Sequence, residues 1–107
     1  MASSKLIKLY HFDNLAPGKS KTRSWNNATP ATAVWYIQAI PLEKSFTSDT
    51  PPEQSVEVEV TRVWRKLNRT LGTAEIPSLH YEHEIWYEFK NVGDREVDFD
   101  VYASIIS

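Results

Sequence analysis

Apolar and polar residues alternate along the last part of the chain. From Val97 to Ile105 every second residue is apolar, and acidic or polar residues stand between most of them. A similar alternation runs through residues 80–90. A period of two with one apolar face is typical of a strand that packs on one side and faces water on the other. We therefore predict strands at 80–90 and 96–106, joined into a hairpin by the turn signal Asn-Val-Gly-Asp at 91–94.

Four earlier segments also have the composition of strands. Val34–Ile40 is apolar on both faces, which predicts a central position in its sheet. The segment Glu43–Gln54 has few large apolar residues, and we interpret it as a long connection that crosses between sheets. The four predicted strands are Leu6–Phe12, Lys19–Trp25, Val34–Ile40 and Ser55–Leu67.

The last of these segments allows a second interpretation. Alternating valines at 56, 58 and 60 lead into it, and no capping box precedes a helix, which favours a strand. A short helix at 61–71, ended by Gly72, stays open as the alternative. Five apolar residues have the spacing that such a helix needs: Val60, Val63, Trp64, Leu67 and Leu71.

A strand near 55–67 could pair antiparallel with the strand at 80–90 in one specific register. A tryptophan pair would then be flanked by opposite charges, and each such cross-strand pair stabilises a sheet by roughly 0.2–1 kcal/mol. The valines at 56–60 have the wrong parity for this arrangement, so we predict a bulge near Thr61–Arg62. On one face the predicted pairs are Trp64 with Trp86, Arg62 with Glu88 and Lys66 with Glu84. On the core side they are Val63 with Tyr87 and Leu67 with His83.

Composition agrees with an all-β fold. The 107 residues include four Trp, five Tyr and four Phe, which suit the half-buried surface of a sheet. A chain of this length forms one domain, residues 1–107. We predict an antiparallel β-sandwich of about six to seven strands, immunoglobulin-like or jelly-roll-like, with little or no helix.

Charge and cysteine content exclude several classes of protein. The chain has no Cys, which excludes disulfides, thiol nucleophiles and cysteine-ligated metals. A net charge of −2 argues against a nucleic-acid partner.

No apolar stretch is long enough for a membrane span, and Met1–Phe12 lacks the apolar core of a signal peptide, so we expect a cytoplasmic protein. Three bases, Lys19, Lys21 and Arg23, are expected to neutralise an adjacent acidic strand, with an acidic partner as the alternative.

Two groups of residues around tryptophans are the best candidates for ligand binding. An indole ring beside carboxamides can stack on a sugar while the amides bind its hydroxyls, and aromatic residues also dominate protein interfaces. The alternative is structural, with Trp25 closing one end of the sandwich and Trp86 shielded by its neighbours. The first group is Trp25, Asn26 and Asn27, and the second is Trp64, Trp86 and Glu84.

Evidence for a metal or a catalytic centre is weaker. His80 shares a predicted strand face with Glu82 and Glu84, whereas His83 points to the opposite face. No recognised metal-ligand spacing, nucleophile elbow or phosphate loop is present, so we expect neither an enzyme nor a cofactor. Four acids alternate along the last strand, at Asp94, Glu96, Asp98 and Asp100, and they predict a solvated strand face.

Three functions are compatible with these features. The first is a non-catalytic module that binds a carbohydrate or another exposed ligand through the tryptophan groups. The second is a structural interaction protein that buries an aromatic sheet face in a homo-oligomer. The third and weakest is a small metal-dependent hydrolase that uses His80, Glu82 and Glu84.

Overall fold

Two three-stranded antiparallel sheets pack together in the computed structural model, which describes residues 3–26, 28, 32–70 and 80–107. This arrangement confirms the predicted β-sandwich. The first sheet has the order β1-β6-β3, and the second sheet has the order β2-β5-β4. The described strands are β1 (Ser4–Leu15), β2 (Ser20–Trp25), β3 (Val34–Pro41), β4 (Val58–Thr70), β5 (His80–Asn91) and β6 (Val97–Ile106).

The chain changes sheet at four of the five connections between these strands, since only β4 and β5 are both sequential and paired. The β1–β2 crossing is a tight turn in which Lys19 N–H donates to Ala16 C=O at 3.1 Å. Gly18 has the φ of +79° that the third residue of a type II turn requires, and Pro17 before it is common in such turns. The β3–β4 connection also crosses between sheets, as predicted, and begins with a 3-10 turn at Glu43–Ser45.

The predicted hairpin of the last two strands is wrong, because β5 and β6 lie in different sheets. Their apolar faces point at each other across the interior, and the Phe89 and Phe99 rings lie 5.0 Å apart. Alternation of apolar and polar residues identifies the inward face of a strand. Two strands show the same alternation whether they pair in one sheet or face each other across two sheets. The turn at 91–96 is therefore an arch between sheets.

Asn91 holds this arch in place. Its buried amide Nδ2 donates to Leu15 C=O and to Arg95 C=O, each at 2.7 Å, and its Oδ1 accepts from Gly93 N–H at 2.9 Å. Its backbone also exchanges hydrogen bonds with Gly18 and Lys19 in the β1–β2 turn. One residue thus fixes both crossings at this end of the sandwich.

The segment before β4 closes over the arch. Val92 N–H donates to Glu57 C=O at 3.0 Å, and Ser55 N–H donates to the Asp94 carboxylate at 2.9 Å. A Cβ atom at Gly93 would lie 2.7 Å from the Glu57 nitrogen. The two backbones can approach this closely only because residue 93 lacks a side chain.

Aromatic rings from both sheets fill the interior. Phe12 of β1 lies 4.8 Å from Phe89 and 5.3 Å from Phe99, measured between ring centroids. Tyr10 lies 6.2 Å from Tyr87, which is completely buried. Each aromatic side chain buries about 150–250 Å² of surface on folding, so this cluster supplies much of the stabilisation of the sandwich.

β5 and β6 are the central strands, and β3 is an edge strand. The predicted central position of β3 is therefore wrong. Its inward residues, including Trp35 and Ala39, are buried, but its outward residues Val34, Tyr36 and Ile40 are exposed. Its outer face is thus apolar although no described strand or turn packs on it.

β4 is a continuous strand through Thr70, so the alternative helix at 61–71 is wrong over the described residues. The predicted register with β5 is confirmed, with Trp64 opposite Trp86 and the predicted pairs on both sides. The predicted bulge is also confirmed, because the register shifts between Val60 and Arg62. The core-side prediction holds for Tyr87, whereas Val63 and Leu67 are exposed.

The charged residues of β2 also differ from expectation. The strand does pair with β5, but Lys21 and Arg23 lie opposite Phe89 and Tyr87 and so share their inward face. The Arg23 guanidinium lies 5.1 Å from the centre of the Phe12 ring. Inward-pointing charge at a sheet edge opposes pairing with another chain. No described helix is long or apolar enough to cross a membrane.

We predict that Asn91→Ala lowers the free energy of unfolding by about 2–4 kcal/mol, because it leaves two carbonyls without their donor and removes the acceptor of Gly93 N–H. Urea unfolding monitored by tryptophan fluorescence measures the change. The exposed Asn26→Ala variant is the matched control, with an expected change within about 0.5 kcal/mol. Equal effects of the two substitutions would contradict the role of Asn91.

Candidate functional site

Trp64 and Trp86 form a stacked pair on the outer face of the second sheet. Their ring centroids lie 5.9 Å apart with an angle of 24° between the planes. β4 and β5 place them directly opposite each other, so the pairing follows from the register of two long strands. Both side chains are partly buried.

A cation lies over each of the two rings. The Arg62 guanidinium lies 4.1 Å from the centre of the Trp64 ring, and the Lys66 ammonium lies 5.5 Å from the centre of the Trp86 ring. Within the described part of the chain, neither cation forms an ion pair with the glutamate opposite it. The opposite charges predicted beside the tryptophans are present, but the cations contact the rings instead. We call the two tryptophans with their cations, Trp64, Trp86, Arg62 and Lys66, the capped tryptophan pair.

The glutamates beside the pair have other partners. Trp86 Nε1–H donates to the Glu84 carboxylate at 2.9 Å, and Glu84 is buried. The Thr61 hydroxyl at the bulge donates to the Glu88 carboxylate at 2.8 Å. The outer face of the second sheet is thus a connected row of stacked rings, cations and hydrogen-bonded carboxylates.

A sugar ring stacks on an open indole face, whereas in the capped tryptophan pair each ring contacts the other ring and has a cation over it. This geometry agrees with the structural interpretation of Trp86, in which its neighbours shield it. The Trp64, Trp86 and Glu84 group is brought together as predicted. Its chemistry is that of a cation–π row, which stabilises the sheet surface by about 0.5–1 kcal/mol per exposed contact.

The other candidate group is Trp25, Asn26 and Asn27, and its tryptophan does not lie beside the capped tryptophan pair. Trp25 pairs in register with Ile85, so it lies on the inward face of the second sheet, opposite to the face of Trp86. It is partly buried, and its ring lies 6.4 Å from that of Tyr10 in an edge contact. Asn26 is exposed at the end of β2, and Asn27 lies outside the described residues.

The weak metal candidate gains no further support. Glu82 is exposed opposite Asn68 in the β4–β5 register, while the side chain of His80 lies outside the described part of the structure. Among the described residues, no three His, Cys, Asp or Glu side chains are placed to hold a metal ion.

An ion cluster that the sequence pattern did not predict lies on the outer face of the first sheet. His11 Nδ1 lies 2.7 Å from the Asp100 carboxylate, and His11 Nε2 lies 2.9 Å from the Asp13 carboxylate. Lys44, in the 3-10 turn, donates to Asp13 at 2.8 Å, and Lys8 lies 3.3 Å from Asp100. The cluster ties β1, β6 and the 3-10 turn together. The i, i+2 spacing of His11 and Asp13 is the only sequence signal for it.

Asp100 also corrects the prediction of a solvated acidic face, because it is buried within this cluster. Burial by itself would raise the pKa of the Asp100 carboxyl, but hydrogen bonds from His11 and Lys8 outweigh burial and hold this pKa below the ordinary aspartate value. The hydrogen bond from Lys44 is the main cause that lowers the pKa of Asp13, and the same contact raises the pKa of Lys44.

An apolar patch continues from the ion cluster across the outer face of the first sheet. Its members belong to all three strands, and Leu6 and Tyr36 are 71% and 61% exposed. Two shallow depressions of about 340 and 490 Å³ share Leu6, Gln38 and Tyr102 in their walls, and Asp100 borders the larger one. We define the outer patch as Leu6, Val34, Tyr36, Ile40 and Ile106.

No protein-family model, curated protein or solved structure matches this chain. The surfaces just described are therefore the basis for inferring its function. Those surfaces are the capped tryptophan pair, the ion cluster and the outer patch.

We predict an energetic coupling of about 0.5–1.5 kcal/mol between Trp64 and Trp86 in a double-mutant cycle of alanine substitutions, because their rings stack directly. Chemical denaturation of the two single variants and the double variant gives the coupling. A second cycle between Trp25 and Trp64 is the control, with coupling near zero because these residues lie on opposite faces. Equal couplings in both cycles would show that stacking is not its source.

We predict that the stability difference between the wild type and Asp100→Asn is largest well above pH 4 and shrinks as the pH falls below about 4. A carboxyl whose pKa is lowered by folding stabilises the protein above its unfolded-state pKa of about 4, and this contribution disappears as it becomes protonated. Urea unfolding at several pH values measures the difference, with Asp49→Asn as the control for the substitution itself. A difference that grows on acidification would contradict the assignment.

Proposed function

We propose that this protein is a non-catalytic interaction module that assembles with a second copy of itself through β3 and the outer patch. The observation that carries this proposal is the exposure of large apolar residues along β3. Val34, Tyr36 and Ile40 lie on its outer face, with Gln38 between the last two, and they are 51%, 61% and 42% exposed.

Exposing a contiguous apolar surface to water is unfavourable for an isolated protein. Single exposed apolar residues are common, but a contiguous patch on one face marks an interaction surface. Leu6 and Ile106 extend the row from β3 across β6 to β1, so the patch spans the first sheet. The ion cluster at its border engages its own charges internally, which leaves the apolar residues as the surface available to a partner.

The second copy is favoured over other partners by charge. A symmetric contact places the same strand of each copy against the other, so any charged residue near the axis meets its own charge. β3 contains no charged residue, and Gln38 is its only side chain that carries an amide or a charge. A strand of this composition can meet itself without repulsion.

The capped tryptophan pair is a poorer interaction surface, although the sequence pattern favoured it. Its ring faces are already covered by each other and by cations, so a second copy could bury little further aromatic area there. Arg62 and Lys66 would also repel the same residues of a symmetric partner. The proposal therefore places self-association on the opposite sheet.

We predict that Tyr36→Arg raises the dissociation constant of the homodimer at least tenfold, which corresponds to about 1.4 kcal/mol or more. An arginine at this position would place a charge among the apolar residues of the contact. Sedimentation velocity over a range of protein concentrations measures the monomer–dimer equilibrium. The matched control is Tyr81→Arg, because Tyr81 is 58% exposed but lies on β5, away from the outer patch.

A wild type that stays monomeric up to millimolar concentration would refute the proposed function. A dimer weakened equally by both substitutions would refute its location. Circular dichroism of each variant verifies that the fold is retained, since Tyr36 and Tyr81 are both exposed and their replacement leaves the core intact.

A further inference from the structure

We infer that two copies join edge to edge, with β3 pairing antiparallel to β3 of the second copy, so that the two first sheets form one six-stranded sheet. This inference rests on the proposed function and specifies its geometry. In the described part of the structure, no backbone hydrogen bond links β3 to any strand other than β6. Every second N–H and C=O of β3 therefore faces outward along an open edge.

The other three edge strands carry features that oppose such pairing. β1 is interrupted by register shifts at Lys8/Tyr10 and Phe12/Leu15. β2 is only six residues long and points Lys21 and Arg23 inward. β4 contains a bulge and five charged residues. Bulges, short length and inward charges are the means by which soluble proteins protect sheet edges.

β3 has none of these features. It pairs with β6 in eight consecutive positions from Val34 to Pro41 without a register shift, and it has no charge. Its proline is the last residue, where the strand ends and the missing N–H costs no central ladder bond. A regular, uncharged edge of this length is a template for another strand.

The core is also incomplete beside this edge. A gap of about 320 Å³ lies between Ile37–Ala39 of β3 and Val58–Val60 of β4, the edge strands of the two sheets on this side. Ile37, Val58 and Val60 point inward but are only partly buried. A strand added to β3 would lie beside this gap, so the second copy would bury Ile37, Val58 and Val60 further.

The size of the contact predicts a weak dimer. An eight-residue strand is about 27 Å long, and the shortest dimension of the molecule is 18 Å. The edge contact thus covers roughly 500 Å² of each copy, or about 1,000 Å² in total, which is at the lower end for specific interfaces. The dimer is expected to dissociate on dilution.

Symmetry restricts the register to two choices. Residues opposite each other in an antiparallel pair point to the same face, so the two-fold axis must pass through a residue of β3. An axis at Ile37 pairs residues 34–40, and an axis at Gln38 pairs residues 35–41. Every other axis leaves at least three of the eight residues of β3 unpaired.

Cysteine trapping tests this geometry, because the chain has no native Cys. Directly opposite residues have Cα atoms about 4.5–5.5 Å apart, within reach of a disulfide. Stacked sheet faces lie about 10 Å apart, which is beyond reach. We predict that Ile37→Cys or Gln38→Cys forms a disulfide-linked dimer under mild oxidation at concentrations where the wild type is dimeric. Val92→Cys, at an exposed residue outside β3, controls for random collisions.

The outcomes distinguish failure of the edge pairing from failure of the proposed dimerisation. A disulfide dimer of Ile37→Cys or Gln38→Cys, with Val92→Cys monomeric, supports the edge pairing. Loss of the dimer in both reduced β3 variants, with Val92→Cys still dimeric, also places the contact on β3. A wild-type dimer whose two β3 variants stay dimeric but do not crosslink refutes the edge pairing alone. A wild type that is monomeric throughout refutes the proposed function as well.

Discussion

The fold depends on the arch that carries the chain from the centre of one sheet to the centre of the other. β5 and β6 are consecutive, yet each is the middle strand of its own three-stranded sheet. The buried Asn91 side chain ties this arch to the end of β1 with one hydrogen bond to Leu15 C=O and braces the arch with two more, to Arg95 C=O and from Gly93 N–H. Phe89 and Phe99 then meet across the interior, and the two sheets pack around them.

This arrangement has a direct consequence for the surface. With both central positions taken by β5 and β6, each of the other four described strands has one open edge. Bulges, short length and charge protect three of these edges, whereas β3 is left regular and uncharged. The proposed self-association follows from this single unprotected strand.

The two outer faces of the sandwich contrast with each other. On the second sheet, Arg62 and Lys66 cover a stacked tryptophan pair, so its aromatic area is largely consumed within the chain. On the first sheet, no described side chain covers Tyr36 in this way, and it is 61% exposed. Aromatic content alone therefore does not locate an interaction surface, because the neighbours of each ring decide whether it is available.

The sequence predicted the structure best where the residues of two strands alone determine how those strands pair. The β4–β5 register, including its bulge, was predictable because one alignment places Trp64 opposite Trp86 with opposite charges on both sides. The arch was not predictable, because alternation shows which face is inward without showing which sheet a strand joins. The edge position of β3 was missed for a similar reason, since an exposed apolar face and a covered one have the same sequence. The ion cluster was missed because His11 and Asp100 are 89 positions apart and meet only through the shifted β1–β6 register.

Backbone hydrogen exchange, followed residue by residue by NMR at low and high protein concentration, would examine both the arch and the open edge of β3. We expect the amides of β5 and β6 to be the most protected at both concentrations, because these strands are central. We also expect alternate amides of β3 to become protected only at high concentration, when the second copy supplies their acceptors. Equal exchange of the β3 amides at both concentrations, in a protein that dimerises, would contradict pairing through β3.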